Sequence, residues 1–179
     1  MTSISNQDLL PGTSDIIVRH DFRYGDLGKV LFLHVQLYHQ EYGFNHEFEA
    51  YVAQGLAEFA KEYRLGKSCI WIAEKKGHVI GSIAILERKN RQAQLRWFIV
   101  DPKYRGKKLG RYLCNKAVEF CKDAGYLTVY LWTLDNLAAA RKIYETSGFE
   151  LKKKKQNDIW GQKMVEEYYI LNLSNNLQK

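Results

Sequence analysis

The stretch Trp97-Phe-Ile-Val-Asp-Pro-Lys-Tyr-Arg-Gly-Lys-Lys-Leu-Gly-Arg111 decides how the rest of the chain is read. Its first part is apolar and strand-like, and it stops at Asp101-Pro102, because proline has no amide hydrogen to offer a ladder. Arg105-Gly-Lys-Lys-Leu-Gly110 then turns straight into Lys108–Ala124, where Leu109, Leu113, Ala117, Phe120, Cys121 and Ala124 recur at helical steps. That spacing predicts an amphipathic helix ended by Gly125. The first turn of a helix carries amide hydrogens without carbonyl partners and the positive end of the helix dipole. A glycine-rich turn ahead of it lets an anion approach the backbone, so the junction reads as a phosphate site. Gly106 and Gly110 allow the approach; Arg105, Lys107, Lys108 and Arg111 add charge where a diphosphate would lie.

Two other phosphate-binding patterns do not fit. A Walker A loop closes on Gly-Lys-Ser/Thr, whereas Gly110 is followed by Arg111-Tyr112. A dinucleotide fold needs Gly-x-Gly-x-x-Gly and a later acidic residue at the next strand end, and neither spacing is present.

Outward from this junction the chain alternates short β-like and longer helical segments. Upstream, Ser68–Lys75 and His78–Glu87 are apolar and β-branched and meet at Lys76-Gly77, a hairpin signal. Arg91–Val100 makes a third strand, and Asp15–Phe22 a strand near the start. Gly25–Tyr42 and Asn45–Tyr63 read as helices. Downstream, Leu127–Trp132 reads as a strand buried on both faces and Leu137–Ser147 as a short helix stopped by Gly148. Phe149–Lys155 and Lys163–Leu173 close the pattern as strands, with the basic run Lys152–Lys155 suited to a solvated sheet edge. An antiparallel front followed by a β-α-β unit predicts a mixed α/β sheet. Residues 1–14 are expected to be a loose lead-in, 15–173 one domain and 174–179 a tail.

The bulk numbers narrow the class. No apolar run reaches the roughly 20 residues that span a bilayer, and residues 1–15 lack the charged and apolar regions of a signal peptide, so a cytoplasmic protein is expected. Cys69, Cys114 and Cys121 are scattered and odd in number, which suits reduced buried thiols. The net charge of +7 favours an anionic partner. The phosphate turn and the lysine run account for much of it, and no nucleic-acid motif is present, so nucleic acid is not expected. His34, His39 and His46 lack ligand spacing, and no metal is expected.

LRWFIVDPKYRGKKLGRYL resembles motif A of the GNAT acetyltransferases, and KIYETSGF at Lys142–Phe149 resembles their motif B. Both stand in the family's order and separation, and residues 15–173 map onto the whole fold. EYGF at Glu41–Phe44, LRWFIVDP, YLWT and the IWG at Trp160 are further similar to the acetyltransferase half of bacterial MarR–GNAT fusion proteins. These 179 residues leave no stretch for the DNA-binding half. The sequence departs from motif A at Lys108, where the fuller pattern has glycine. It departs again at Leu137, where many members carry an asparagine seven residues before the motif B tyrosine.

The resemblance implies a mostly antiparallel, twisted sheet of six to seven strands with about four helices. Its central parallel pair, Arg91–Val100 and Leu127–Trp132, would splay to admit coenzyme A. Phe98, Ile99 and Val100 would pair with the pantetheine arm, and Arg105, Gly106, Lys107, Lys108, Leu109, Gly110 and Arg111 would hold the pyrophosphate. Asn136 would either join this cofactor site or cap the following helix. The implied reaction is acetyl transfer from acetyl-CoA to a primary amine, with Tyr144 as acid for the departing thiolate or, alternatively, as a core tyrosine. Glu41 ranks first as base, ahead of Glu47 and Glu87, and Trp160 would close over the acceptor or pack. A strongly acidic groove would favour polyamines or lysine-rich tails. A catalytically silent acyl-CoA-binding module is the alternative reading, and relatives are often homodimers.

Overall fold

The computed structural model describes residues 7–13 and 15–173. One eight-stranded sheet runs through it in the order β1-β2-β3-β4-β5-β6-β8-β7. Its strands are β1 (Gln7–Leu9), β2 (Ile16–Arg19), β3 (Cys69–Lys75), β4 (His78–Arg88), β5 (Gln92–Val100), β6 (Thr128–Leu134), β7 (Glu150–Ile159) and β8 (Gln162–Asn172). The helices are α1 (Asp26–Tyr42), α2 (His46–Glu62), α3 (Leu109–Asp123) and α4 (Ala138–Thr146). Every pairing is antiparallel except β5 with β6. The mixed α/β fold expected from the sequence is therefore present, with one more strand than the residues predict. The addition is β1, which pairs with β2 inside the expected lead-in. The remainder of that lead-in, 1–6 and 14, and the expected tail 174–179 lie outside the described residues.

The two faces of the sheet carry two cores. α3 and α4 cover one, with Leu113, Cys114, Ala117 and Cys121 against Trp71, Ile83, Ile85 and Leu95. α1 and α2 cover the other, with Val30, Phe48, Val52, Leu56 and Phe59 against Ile70, Ile72, Ala84 and Trp97. Alternation in β3 and β4 sorts these residues between the faces, as a strand buried on both sides requires. β3 and β4 join at Lys76-Gly77, both at positive φ, the geometry of the tightest hairpin turns. All three cysteines are free and buried, and burial raises the Cys69 thiol to about 12. No helix among the described residues is long and apolar enough to cross a membrane.

Two expectations change. β6 is not buried on both faces: Val129 and Leu131 are covered, but Trp132 is 39% exposed. The reason is that the sheet opens beside it. β7 runs to Ile159 rather than Lys155, because its whole length pairs with β8. As the outermost strand it keeps Lys152–Lys155 in solvent.

Two features of β5 set up the site. First, its parallel ladder to β6 holds only for Gln92↔Thr128, Ala93↔Val129 and Gln94↔Tyr130. Beyond that, β6 continues against β8 while β5 continues against β4, so the sheet parts along one side of Leu95–Val100. Second, Ala84 faces Arg96 while Ser82 faces Ile99, so β5 carries one residue more than β4 across that interval. This is a β-bulge, with Trp97 at φ 49 and its carbonyl accepting from Ser82 Oγ at 2.7 Å. The extra residue shifts the alternation. Leu95 packs toward α3, whereas Trp97 and Ile99 pack toward α2 and α1.

Candidate functional site

The opened sheet leads into a cavity of about 1060 Å³ that reaches from the start of α3 to the α1–α2 side. Phe98, Ile99 and Val100 line it from β5, and Arg105, Gly106, Lys108, Gly110 and Arg111 from the turn. Glu41, Asn136 and Tyr144 line it from α1, the β6–α4 loop and α4. The structure does not bring two of the expected residues there. Leu109 is 1% exposed in the α3 core, and Lys107 points to solvent over the ring of Tyr104, 5.2 Å from its centroid.

The turn has the form an anion needs. Gly106 (φ 77) and Lys108 (φ 64) both adopt left-handed backbone, and no side chain caps α3. The first amide hydrogens of α3 are thus left for a ligand. Left-handed backbone costs a non-glycine residue roughly 1–2 kcal/mol, which explains why the fuller motif has glycine where Lys108 stands. A side chain on Gly106 would meet nothing within 4 Å, so that position borders open space. Gly110 differs: a Cβ there would lie 3.0 Å from Ile143 Cδ1 and 3.2 Å from Phe98 Cζ. Its lack of a side chain lets α3 sit close to α4 and β5, a packing role beyond the approach of an anion.

Arg105 and Glu41, expected in separate roles, form one bidentate pair at 2.9 and 2.8 Å. Arg105 Nε also donates to the Val100 carbonyl at 3.0 Å. The guanidinium therefore clamps the turn onto α1 and the end of β5, and both Glu41 oxygens are engaged. Glu41, ranked first as base from the sequence, thus stands in an ion pair beside the cavity. Glu87 does not line the cavity and pairs with Arg64 at 2.6 Å, and Glu47 folds back on the Asn45 side chain that caps α2.

Tyr144 is 4% exposed and packs its ring against Phe98, Phe149 and Tyr169, yet it borders the cavity. The two readings of this residue are therefore compatible. Burial, and then the nearby Cys114 and Tyr38, hold its hydroxyl well above the ordinary tyrosine value, so it remains a proton donor. Asn136 does not cap α4, whose N-cap is Leu137 with no side-chain bond; it borders the cavity instead.

The α1–α2 end of the cavity is aromatic. Trp160 both packs and forms wall, with ring centroids 5.1 Å from Phe44, 5.0 Å from Phe48 and 5.3 Å from Tyr51. The β7–β8 hairpin tip is further held by Asn45 N–H donating to the Trp160 carbonyl. His34 also lines this end, and its Nδ1 bonds the Val30 carbonyl at 2.8 Å. A carbonyl only accepts, so Nδ1 carries the proton and Nε2 the lone pair. Sequence reasoning missed Arg96, which lies in this wall, and the Trp97 bulge. The signals for Arg96 were a cation inside the apolar run LRWFIV and a glycine, Gly55, in the middle of α2.

The chain is similar to known proteins in both fold and sequence. An acetyltransferase from Streptococcus agalactiae superposes with a TM-score of 0.74 at 22% identity, covering 90% of this chain and 100% of the other. A putative streptothricin acetyltransferase from Bacillus anthracis, solved with acetyl coenzyme A, superposes at 0.55 with 25% identity over 64% of this chain and 68% of its own. In sequence, N-acetylaspartate synthetase of Danio rerio is 36% identical over 83 residues, 46% of this chain and 29% of that protein. N-acetyltransferase family 8 member 3 of Rattus norvegicus is 34% identical over 88 residues, 46% of this chain and 39% of that protein. The chain thus spans less than half the length of these two relatives. The model of the acetyltransferase (GNAT) family matches residues 32–149, a range holding the bulged strand, the uncapped helix start and Tyr144, and the chain belongs to that family.

Proposed function

We propose that the protein transfers acetyl from acetyl-CoA to a primary amine by direct attack in a ternary complex. The observation that carries this reading is the continuity of the cavity from the uncapped start of α3, past the opened edge of β5, to Tyr144. The amides of α3, with Lys108 and Arg111 beside them, would take the pyrophosphate. The pantetheine arm would lie along Phe98–Val100 as an added strand. A backbone N–H of β5 beside the bulge would polarise the thioester carbonyl. The amine lone pair attacks the carbonyl carbon, the C–S bond breaks, and the Tyr144 hydroxyl gives its proton to the departing thiolate. The nitrogen, cationic after attack, releases a proton to solvent water, and Tyr144 regains one from solvent, so the products are an amide and free coenzyme A.

The amine must arrive without its proton, although an alkylammonium has a pKa near 10. Arg96, Lys153 and Lys155 all border the cavity, and nearby cations disfavour the ammonium form. This charge lowers the need for a dedicated carboxylate base and gives solvent water the proton. It also runs against the acidic groove that polyamines or lysine-rich tails would call for. The relatives' names, N-acetylaspartate synthetase and N-acetyltransferase, support nitrogen as the accepting atom. The finer likeness to MarR-fused acetyltransferases rests on EYGF and IWG among other stretches, and Phe44 and Trp160 of these two are in ring contact.

A free-thiol release assay against a panel of amines and peptides, run beside calorimetry with acetyl-CoA, tests the proposal. Thiol release with at least one amine supports it. Tight acetyl-CoA binding with no release in any arm would instead favour the silent acyl-CoA-binding module.

A further inference from the structure

The guanidinium of Arg96 is held as a built feature yet has no ionic partner. Its carbon lies 5.2 Å from the Tyr51 ring centroid and 4.8 Å from that of Trp97, so two aromatic rings flank it. Gly55, in the middle of α2, makes room for it: a Cβ there would stand 2.9 Å from Nη1 and 3.1 Å from Nη2. A glycine inside a helix costs about 1 kcal/mol relative to alanine, and contact with the guanidinium explains it here. No carboxylate pairs with Arg96 among the described residues, and the residue is only partly buried and lines the cavity. The bulge is the cause of this placement, because it turns Arg96 and Trp97 together toward α2. The same wall carries Lys153 and Lys155 from β7, whereas Lys154 turns away to Glu167 at 2.8 Å. Its carboxylates are Glu41, held by Arg105, and Glu166, which accepts from Asn157.

We propose that Arg96 is the anchor for a carboxylate on the acceptor, which makes the substrate class a small amino acid or close derivative whose amine faces the thioester. A flat guanidinium fixed between two rings presents paired N–H donors in one plane, the arrangement that a carboxylate accepts bidentately. Phe48, Tyr51 and Trp160, in ring contact with one another through Trp160, give the rest of the acceptor an apolar surface beside those donors. Without such a ligand the cation stays half-buried and unpaired, at a cost that an incoming anion removes. The assignment rests on the acetyl-transfer reading for the role of the amine, but not for the binding of the acid.

The test separates the two. Protein saturated with coenzyme A is titrated calorimetrically with each of the common L-amino acids, with its carboxamide and with its decarboxylated amine. Acid-form binding about 10- to 100-fold tighter than amide and amine for at least one side chain is the expected result, as charged hydrogen bonds of this kind provide. Arg96→Gln should erase that preference with acetyl-CoA affinity unchanged, which also shows that the variant folds; Arg96→Lys should restore part of it. No acid preference for any side chain, or a preference that survives in Arg96→Gln, overturns the anchor. Acid-selective binding without thiol release sinks the transfer reading and leaves the anchor standing.

Discussion

Tyr144 and Glu41 illustrate what a single residue's surroundings decide. Tyr144 keeps its proton because burial disfavours the phenolate, and it borders the cavity where a leaving thiolate would need one. Tyr144→Phe should lower kcat by about 10²-fold with little change in acetyl-CoA affinity, the usual scale for losing a general acid. Glu41→Gln should change kcat by no more than a few-fold, since the partly exposed pair it forms with Arg105 is worth at most about 1 kcal/mol. Steady-state kinetics on both variants separates the roles; a loss of 10²-fold or more in Glu41→Gln would return that carboxylate to the chemistry. The sequence announces Tyr144 through its place before Ser147-Gly148-Phe149, but it does not announce the Arg105–Glu41 pair, whose members stand 64 residues apart. Arg96 was visible as an unusual cation in a strand, yet its meaning needed Gly55, brought beside it only by the packing of α2 on β5.

The elements were legible wherever local chemistry sets them. The α3 start follows from glycines and a helical period, and the β3–β4 hairpin from Lys76-Gly77. The bulge was not legible, because Trp97 takes a positive φ without being glycine and owes it to contacts with β4. β1 was missed for a similar reason: three residues become a strand only once β2 offers its edge. At this scale Gly110→Asp should reduce acetyl-CoA affinity at least 100-fold in calorimetry. The new side chain places a negative charge at the proposed pyrophosphate site and would push Ile143 and Phe98 away from α3. Melting should also occur at a lower temperature. Unchanged affinity would mean that the start of α3 holds no phosphate.

For the molecule as a whole, the buried His34 makes an acid-sensitive seam between α1 and β5. Burial first, and then the nearby Arg96, lower its pKa from 6.5 to about 4, against the bond to Val30. The unfolded chain therefore binds more protons between these values, and stability rises with pH across that window. The contribution is complete above about pH 6.5 and falls away as pH drops toward 4, by about 3 kcal/mol in all. His34→Gln should flatten the pH dependence of the urea midpoint over that range; an unchanged slope would place the acid sensitivity elsewhere. The layered plan of helices on both faces of a mixed sheet was readable from the order of elements, because each segment buries a stripe of its own. The joining of the α3 turn and the aromatic α1–α2 end in one cavity was not, since it depends on where β5 and β6 stop pairing. That same strand changes phase at Arg96–Trp97, so it behaves as two half-strands with opposite parity. Substitutions among the side chains turned toward α2, Arg96 and Trp97 among them, can retune which amine is welcomed, while the backbone of Phe98–Val100 would go on pairing with the same acyl donor. Inheritance of a new substrate then requires no renegotiation with the old cofactor.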